Sequence, residues 1–385
     1  MISEILGALC VAIWCYLLLG RGAFWRVREL KPPPQSSAYP NGGVAVVVPA
    51  RNEALVVGEA IRSLASQDYA GPLHIFLVDD ECSDDTAATA QQAATGAREP
   101  CPLTVIKVGP RPAGWTGKLW AVSEGVRHAR ELHPAYYLFT DADIVHASDS
   151  ITGLVSRADA GPYDLVSLMV ELHCQTFAER ALIPTFVFFF FMLYPPAWVN
   201  DPSRRTAAAA GGCILIRSDA LDKVGGIAAI RGQLIDDCAL AAAVKRAGGR
   251  LWLGPSRNVR SIREYQTGHD IARMISRNAF TQLRHSTLLL ALTISGMLVT
   301  FILPIVLSFQ GHVGSVLGVA SWTLMSLAFV PMLRLYRRSL WFAPVLPFMA
   351  LFYAGATVDS AIQYWRGMGG LWKGRVQDPE RRAAS

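Results

Sequence analysis

Two aspartates, Asp141 and Asp143, stand one residue apart directly after the apolar run Tyr136 to Phe139 and Thr140. At the end of a buried strand such a pair faces a cleft with enough negative charge to hold a divalent cation, and a cation held there can neutralise a diphosphate. A lone D-x-D triplet arises often by chance, so its weight comes from its neighbours. These are a strand ending in Pro49-Ala50-Arg51-Asn52-Glu53, another ending in Asp79-Asp80, and the pair Asp236-Asp237 farther on.

The elements that must position these groups follow from hydrophobic periodicity. Val44 to Val48, Leu73 to Val78, Leu103 to Val108 and Tyr136 to Phe139 are short apolar runs that read as buried strands; Glu53 to Gln67, Asp84 to Thr95 and Lys118 to Arg130 read as helices. This alternation predicts an α/β domain with a mostly parallel sheet and helices on both faces. Ligands of such sheets bind beyond the carboxyl ends of the strands, where Arg51, Asp79-Asp80 and Asp141-Ala142-Asp143 all fall. After Ala147 the alternation breaks down. Asp164 to Leu172 and Cys213 to Arg217 read as strands, Phe177 to Val199 as a very apolar helix of core or membrane-interface type, and Asp236 to Ala247 as a helix stopped by Gly248-Gly249.

Composition adds a membrane. Of 385 residues, 52% are hydrophobic and only 17% charged, too apolar for a wholly soluble chain. Ile5 to Gly20 carries no charge and is followed by Arg21, Arg26, Arg28 and Lys31, as in an anchor with basic residues on its cytoplasmic side. Leu288 to Phe309 and Val313 to Leu333 are long enough to span, and Leu340 to Ile362, interrupted by Pro344, Pro347 and Asp359, either crosses or is re-entrant. The expected organisation is an anchor at 1–20, a linker at 21–43, a cytoplasmic catalytic domain at 44–285, membrane segments at 286–365 and a basic tail at 366–385. That is a multi-pass protein of a bacterial-type inner membrane. Seven cysteines without a CxxC pair argue for a reduced compartment and against a zinc site. The net charge of +6 lies largely in juxtamembrane and tail residues, which suits anionic lipid headgroups, and no aromatic-basic interleaving points to nucleic acid. A transporter would need ionisable residues inside the spans, and Asp359 alone qualifies.

Val46-Val47-Val48-Pro49-Ala50-Arg51-Asn52-Glu53, followed by Val78-Asp79-Asp80-Glu81-Cys82-Ser83-Asp84-Asp85-Thr86, resembles the opening of family 2 glycosyltransferases. The resemblance runs from about Val44 to Arg284. It implies a GT-A fold, a nucleotide-sugar donor, a divalent metal (Mg²⁺ or Mn²⁺) and inversion at the anomeric carbon; the donor expected is UDP-linked. Gly114-Trp115-Thr116-Gly117-Lys118-Leu119-Trp120-Ala121, Gly211-Gly212-Cys213-Ile214-Leu215-Ile216-Arg217 and Ile235-Asp236-Asp237-Cys238-Ala239-Leu240-Ala241 look like its hopanoid-associated branch, which implies a membrane lipid acceptor, a hopanoid or related polyisoprenoid.

Under that resemblance each residue acquires a role that competes with a simpler one. Asp80 can accept the N3–H of a uracil ring, with Pro49, Arg51, Glu53 and Asp79 framing base and ribose; acids at strand ends also cap helices. Lys118, in a loop entering a helix, meets phosphate oxygens, or is a solvated lysine. Pro112 and Leu119 rule out a Walker loop. Asp141 takes ribose and metal contacts and Asp143 the direct metal contact, the alternative being a turn. Asp237 is the candidate base that takes the acceptor hydroxyl proton, whereas a helix start enriched in acids explains Asp236 and Asp237 without catalysis. The family usually has Glu-Asp at this pair. Gly211, Gly212 and Cys213, with Asp236, form the acceptor-side wall, or the glycines are a plain turn. Arg277 contacts the diphosphate or lipid headgroups, and the tryptophan of many relatives is replaced by Asn278, which counts against a processive polysaccharide synthase. The isolated histidines, His146 among them, read as structural.

Overall fold

The computed structural model describes residues 1–29, 42–96, 101–372 and 375–376; residues 30–41 of the expected linker and 377–385 of the expected tail lie outside them. Internal contacts divide the chain into two compact units. One contains Met1–Arg28, Cys174–Ala197 and Glu264–Trp372, the other Glu29–His173 and Trp198–Arg263. Within the span 44–285 expected for the catalytic domain, Cys174–Ala197 and the part from Glu264 onward therefore cluster with the terminal helices.

The second unit is built on one eight-stranded sheet. Its strands are β1 (Val44–Ala50), β2 (Leu73–Asp79), β3 (Leu103–Lys107), β4 (Tyr136–Thr140), β5 (Ile144–His146), β6 (Leu165–Glu171), β7 (Cys213–Arg217) and β8 (Leu251–Ser261), in the order β3-β2-β1-β4-β7-β6-β8-β5. All seven residues of β1 are buried, as a strand covered on both faces requires. β1 pairs in parallel with β2 and β4, and β2 with β3, which brings Ala50 level with Asp79. Helix Gly117–Ala129 packs on this half so closely that a Cβ at Gly125 would lie 2.4 Å from Val47 Cγ1. Beyond β4 the sheet is mixed, with β7 antiparallel to both β4 and β6.

Periodicity alone misses two strands, β5 and β8. β8 carries Gly254-Pro255, which punctuate a sequence as a turn would, yet β6 accommodates them through an irregularity in register between Met169 and Glu171. β5 is three residues long and pairs with β8, Ile144 opposite Ser261.

Among the described residues four helices are long and apolar enough to cross a membrane: Ile2–Gly20, Thr287–Ser308 and His312–Leu335 in the first unit, and Phe177–Val199, which belongs to it as far as Ala197. Phe177–Val199 thus joins the class that the sequence reading reserved for the terminal segments. Large apolar side chains such as Leu292, Val316 and Phe348 remain exposed, a surface that lipid can cover. The apolar helix opens with a capping box in which the buried Glu179 accepts hydrogen bonds from the backbone N–H groups of Thr176 and Gln175, and its other oxygen takes the Tyr265 N–H at 2.7 Å.

Candidate active site

At the ends of β1 and β2 the chain makes tight turns, with Asn52 at φ +51° and Glu81 at φ +52°. Arg51 Nη1 donates to the Asp80 carbonyl at 2.6 Å and lies 3.6 Å from Asp80 Oδ2. The Arg51 Nε–H is buried without a protein acceptor, a donor that a bound ring could satisfy. Asp79 serves the turn itself, since its Oδ1 accepts the Cys82 N–H at 2.7 Å. Asp84 is a capping acid, bonding the Thr86 N–H at the start of helix Thr86–Thr95.

Glu53 and Asp143 meet over one arginine. Arg263 Nη2 donates to Glu53 Oε1 at 2.7 Å and Nε to Asp143 Oδ2 at 3.3 Å; Ser261 Oγ adds a 2.7 Å bond to the same Asp143 oxygen. Both bonds fall on Oδ2, which leaves Asp143 Oδ1 for another partner. Ser261 and Arg263 were not among the sequence candidates. Their position follows from β8, the strand that Gly254-Pro255 conceals.

A second cation organises the other cluster. Thr116 caps helix Gly117–Ala129 by accepting the Leu119 N–H, which places Lys118 on its first turn. Lys118 Nζ lies 2.9 Å from Asp141 Oδ1 and 3.2 Å from Asp236 Oδ2, so a single ammonium joins the end of β4 to the start of helix Asp236–Arg246. Pro49, Lys118, Asp141, Gly211, Asp236 and Asp237 line one cavity of about 20 Å³, room for about one water molecule. A Cβ at Gly211 would lie 3.2 Å from Asp237 Oδ2 and 3.6 Å from Lys118 Nζ, so the absent side chain is what lets this wall approach the acids.

Titration behaviour follows from this crowding. Burial would lower the Lys118 ammonium, yet Asp141 and Asp236 together hold it above its ordinary range. Burial raises Asp141, and Lys118 only partly offsets it. Burial and then the charge of Asp236 push Asp237 up to about 6, against the pull of Lys118 and of backbone N–H groups from Cys238 and Gly211.

Six carboxylates (Glu53, Asp80, Asp141, Asp143, Asp236, Asp237) face three cations (Arg51, Lys118, Arg263) at these strand and helix ends. The excess of acids suits a divalent cation. Among the described residues no three His, Cys, Asp or Glu side chains gather closely enough to hold a metal alone. One or two carboxylates with substrate oxygens is the usual shell of Mg²⁺ at phosphates, and Asp143 with Asp141 fits it.

Three further sequence candidates are Cys213 and Gly212, in the same unit as these acids, and Arg277, in the first unit. The Cys213 side chain is fully buried in the core, where burial pushes its thiol up to about 12. Gly212 packs against Val170 and Ile144 and turns its carbonyl to Thr140. Arg277 belongs to the first unit, as the C-cap of helix Gly268–Ser276.

A mixed α/β sheet with acids gathered at its strand ends is the architecture of the GT-A fold. The structure is similar to that of a mannosyltransferase from Pyrobaculum calidifontis, solved in complex with GDP-Man and Mn²⁺, with a TM-score of 0.59 at 18% identity over 93% of this chain and 98% of that one. The family model described as "Glycosyltransferase like family 2" matches residues 40–279, more than half of the chain, and the chain belongs to that family. Among curated relatives, an N-acetylglucosaminyltransferase of Rhizobium leguminosarum is 40% identical over 21% of this chain and 20% of its own length. A 4,4'-diaponeurosporenoate glycosyltransferase of Staphylococcus aureus is 26% identical over 39% of this chain and 36% of its own. The matches thus span about a fifth and about a third of those relatives.

Proposed function

We propose that the protein is a membrane-anchored inverting glycosyltransferase that moves one sugar from a UDP-linked donor to the hydroxyl of a membrane lipid, a hopanoid or related polyisoprenoid. The observation that carries this reading is the Lys118 bridge, which brings an acid of the β4 end and an acid of the Asp236-Asp237 pair to one ammonium. Family membership, the Mn²⁺ and sugar nucleotide named with the archaeal mannosyltransferase, and the carotenoid-acid name of the staphylococcal relative support it. The four apolar helices support an acceptor that resides in lipid, with the catalytic unit on the cytoplasmic side of an inner membrane.

In this reading Arg51, Asp80 and Glu53 receive the nucleoside, with Pro49 shaping the β1 end. Lys118 meets the diphosphate. Asp143, with Asp141, would hold a divalent cation, which would supply neutralising charge to a departing nucleoside diphosphate. Asp237 accepts the proton of the acceptor hydroxyl while that oxygen forms its bond to the anomeric carbon and the bond from that carbon to the diphosphate oxygen breaks. A carboxyl that titrates at about 6 is ionised at neutral pH yet basic enough to take that proton. Gly211 gives the acceptor close passage to Asp237.

The test is donor turnover by the purified full chain with Mn²⁺ and UDP-sugars, with and without a total lipid extract. A single glycosylated lipid, lost in Asp143→Ala and Asp237→Ala, is the expected result. UDP release that survives both substitutions would sink this site, and a long polymer would make the protein a processive synthase.

A further inference from the structure

One buried group near the site has no part in the chemistry above. His146 on β5 is 4% exposed, and burial lowers its imidazole to about 3, so the ring is neutral. Its Nε2 lies 3.0 Å from Thr140 Oγ1, and Thr140 Oγ1 donates to the Gly212 carbonyl at 2.9 Å. A carbonyl only accepts, so the Thr140 hydroxyl proton is committed there and the His146 Nε2–H must donate to Thr140. Ser150 Oγ lies 3.2 Å from Nδ1 and donates to Gln67 Oε1 at 3.1 Å. The far end is anchored too. Gln67 Nε2 donates to the carbonyls of Ser63 and Ala147, its Oε1 accepts the Ile151 N–H, and Ser63 Oγ accepts the His146 N–H at 3.0 Å.

We infer that His146 and Thr140 are positioning residues for the transfer step: through the Gly212 carbonyl they fix the Gly211-Gly212 turn against Asp237 and so set where the acceptor hydroxyl stands. The turn needs such an anchor because it is a strand end made of glycines, whose backbone is otherwise the least restrained. On its opposite flank Ser167 Oγ lies 3.2 Å from both the Ala210 and Cys213 carbonyls, with one proton to share between them, and accepts the Ala210 N–H at 2.8 Å. Thr140 therefore closes a brace around the turn. The chain that carries this brace also carries Asp141 as its next residue, so the wall facing the acceptor and the acid facing the donor share one strand end. The linked groups are uncharged, and Thr140, His146 and Ser150 are buried, where a hydrogen bond is stronger than in water.

The inference rests on the proposed role of Asp237, and the experiment separates the two. Full-length Thr140→Val, Thr140→Ser, His146→Leu and His146→Gln would be compared for turnover with lipid extract, for UDP affinity with Mn²⁺, and for melting temperature. Thr140→Val keeps shape and loses the donor; it should cut turnover about tenfold or more while UDP affinity stays at the wild-type value. Thr140→Ser should restore most of the rate, and His146→Gln, which keeps an N–H at the same reach, should exceed His146→Leu. If His146→Leu fails to fold, the threonine pair decides alone. Wild-type turnover in Thr140→Val overturns the inference, as does a loss of UDP affinity equal to the loss of turnover. Activity retained in Asp237→Asn would instead remove the base assignment, whatever the threonine variants do.

Discussion

Two cations hold two pairs of acids in this site, and they do it differently. Arg263 joins Glu53 and Asp143 with separate nitrogens, and Ser261 pins the same Asp143 oxygen, so the guanidinium acts as a fixed fork. Lys118 joins Asp141 and Asp236 through one rotatable ammonium at the tip of a flexible stem. The fork holds acids in place; the point charge can change partners when a diphosphate arrives. In the proposed reaction the first cluster is a frame and the second is a junction between donor and acceptor sides.

The largest test of that contrast is Lys118→Met, which leaves Asp141 and Asp236 facing each other without a counter-ion. A junction predicts a fall in kcat/KM of about 10²-fold, shared between donor and acceptor terms. A loss confined to donor affinity would reduce Lys118 to an ordinary phosphate contact. A smaller effect is expected from Arg263→Lys, which keeps the charge and removes the fork. The Mn²⁺ needed for half-maximal turnover should rise about tenfold, and direct Mn²⁺ titration in the presence of UDP should show the same shift. An unchanged requirement would mean that Asp143 does not depend on the arginine for its orientation.

The smallest effect concerns stability. The Asp237 carboxyl is raised from 3.8 to about 6 in the folded protein, so the fold favours its protonated form and gains stability as the pH falls through that value. At neutral pH Asp237→Asn should therefore raise the melting temperature by a few degrees while transfer is lost. In the wild type, turnover should decline on the acidic side of about 6, because the base must be ionised. A melting temperature that falls in Asp237→Asn would mean that Lys118 stabilises the carboxylate more than burial penalises it.

The same two clusters mark how far the amino-acid sequence can be read. Lys118, Asp141, Asp236 and Asp237 sit in short words at the edges of strands and helices whose apolar periodicity is plain, and those words together with the family resemblance single them out. Arg263 and Ser261 follow β8, where Gly254-Pro255 imitate a turn and only pairing with β6 and β5 makes a strand. No local signal encodes such pairing. The side chain of Cys213, a residue singled out with Gly211 and Gly212 for its backbone, is taken up by the core. His146, dismissed as structural because it lacks a metal-ligand spacing, gains interest only from its neighbours in space.

The triplet Asp141-Ala142-Asp143 is strung between two ladders, with Thr140 paired to Cys213 on one side and Ile144 to Ser261 on the other. It has no slack. A hinge there would have to unzip both pairings, so in the proposed reaction entry of fresh sugar nucleotide and escape of spent nucleotide are timed by segments elsewhere along the rim. Kinetic variants that speed or slow release should map away from the acids themselves, and lengthening this stretch by even one residue should abolish the enzyme rather than retune it.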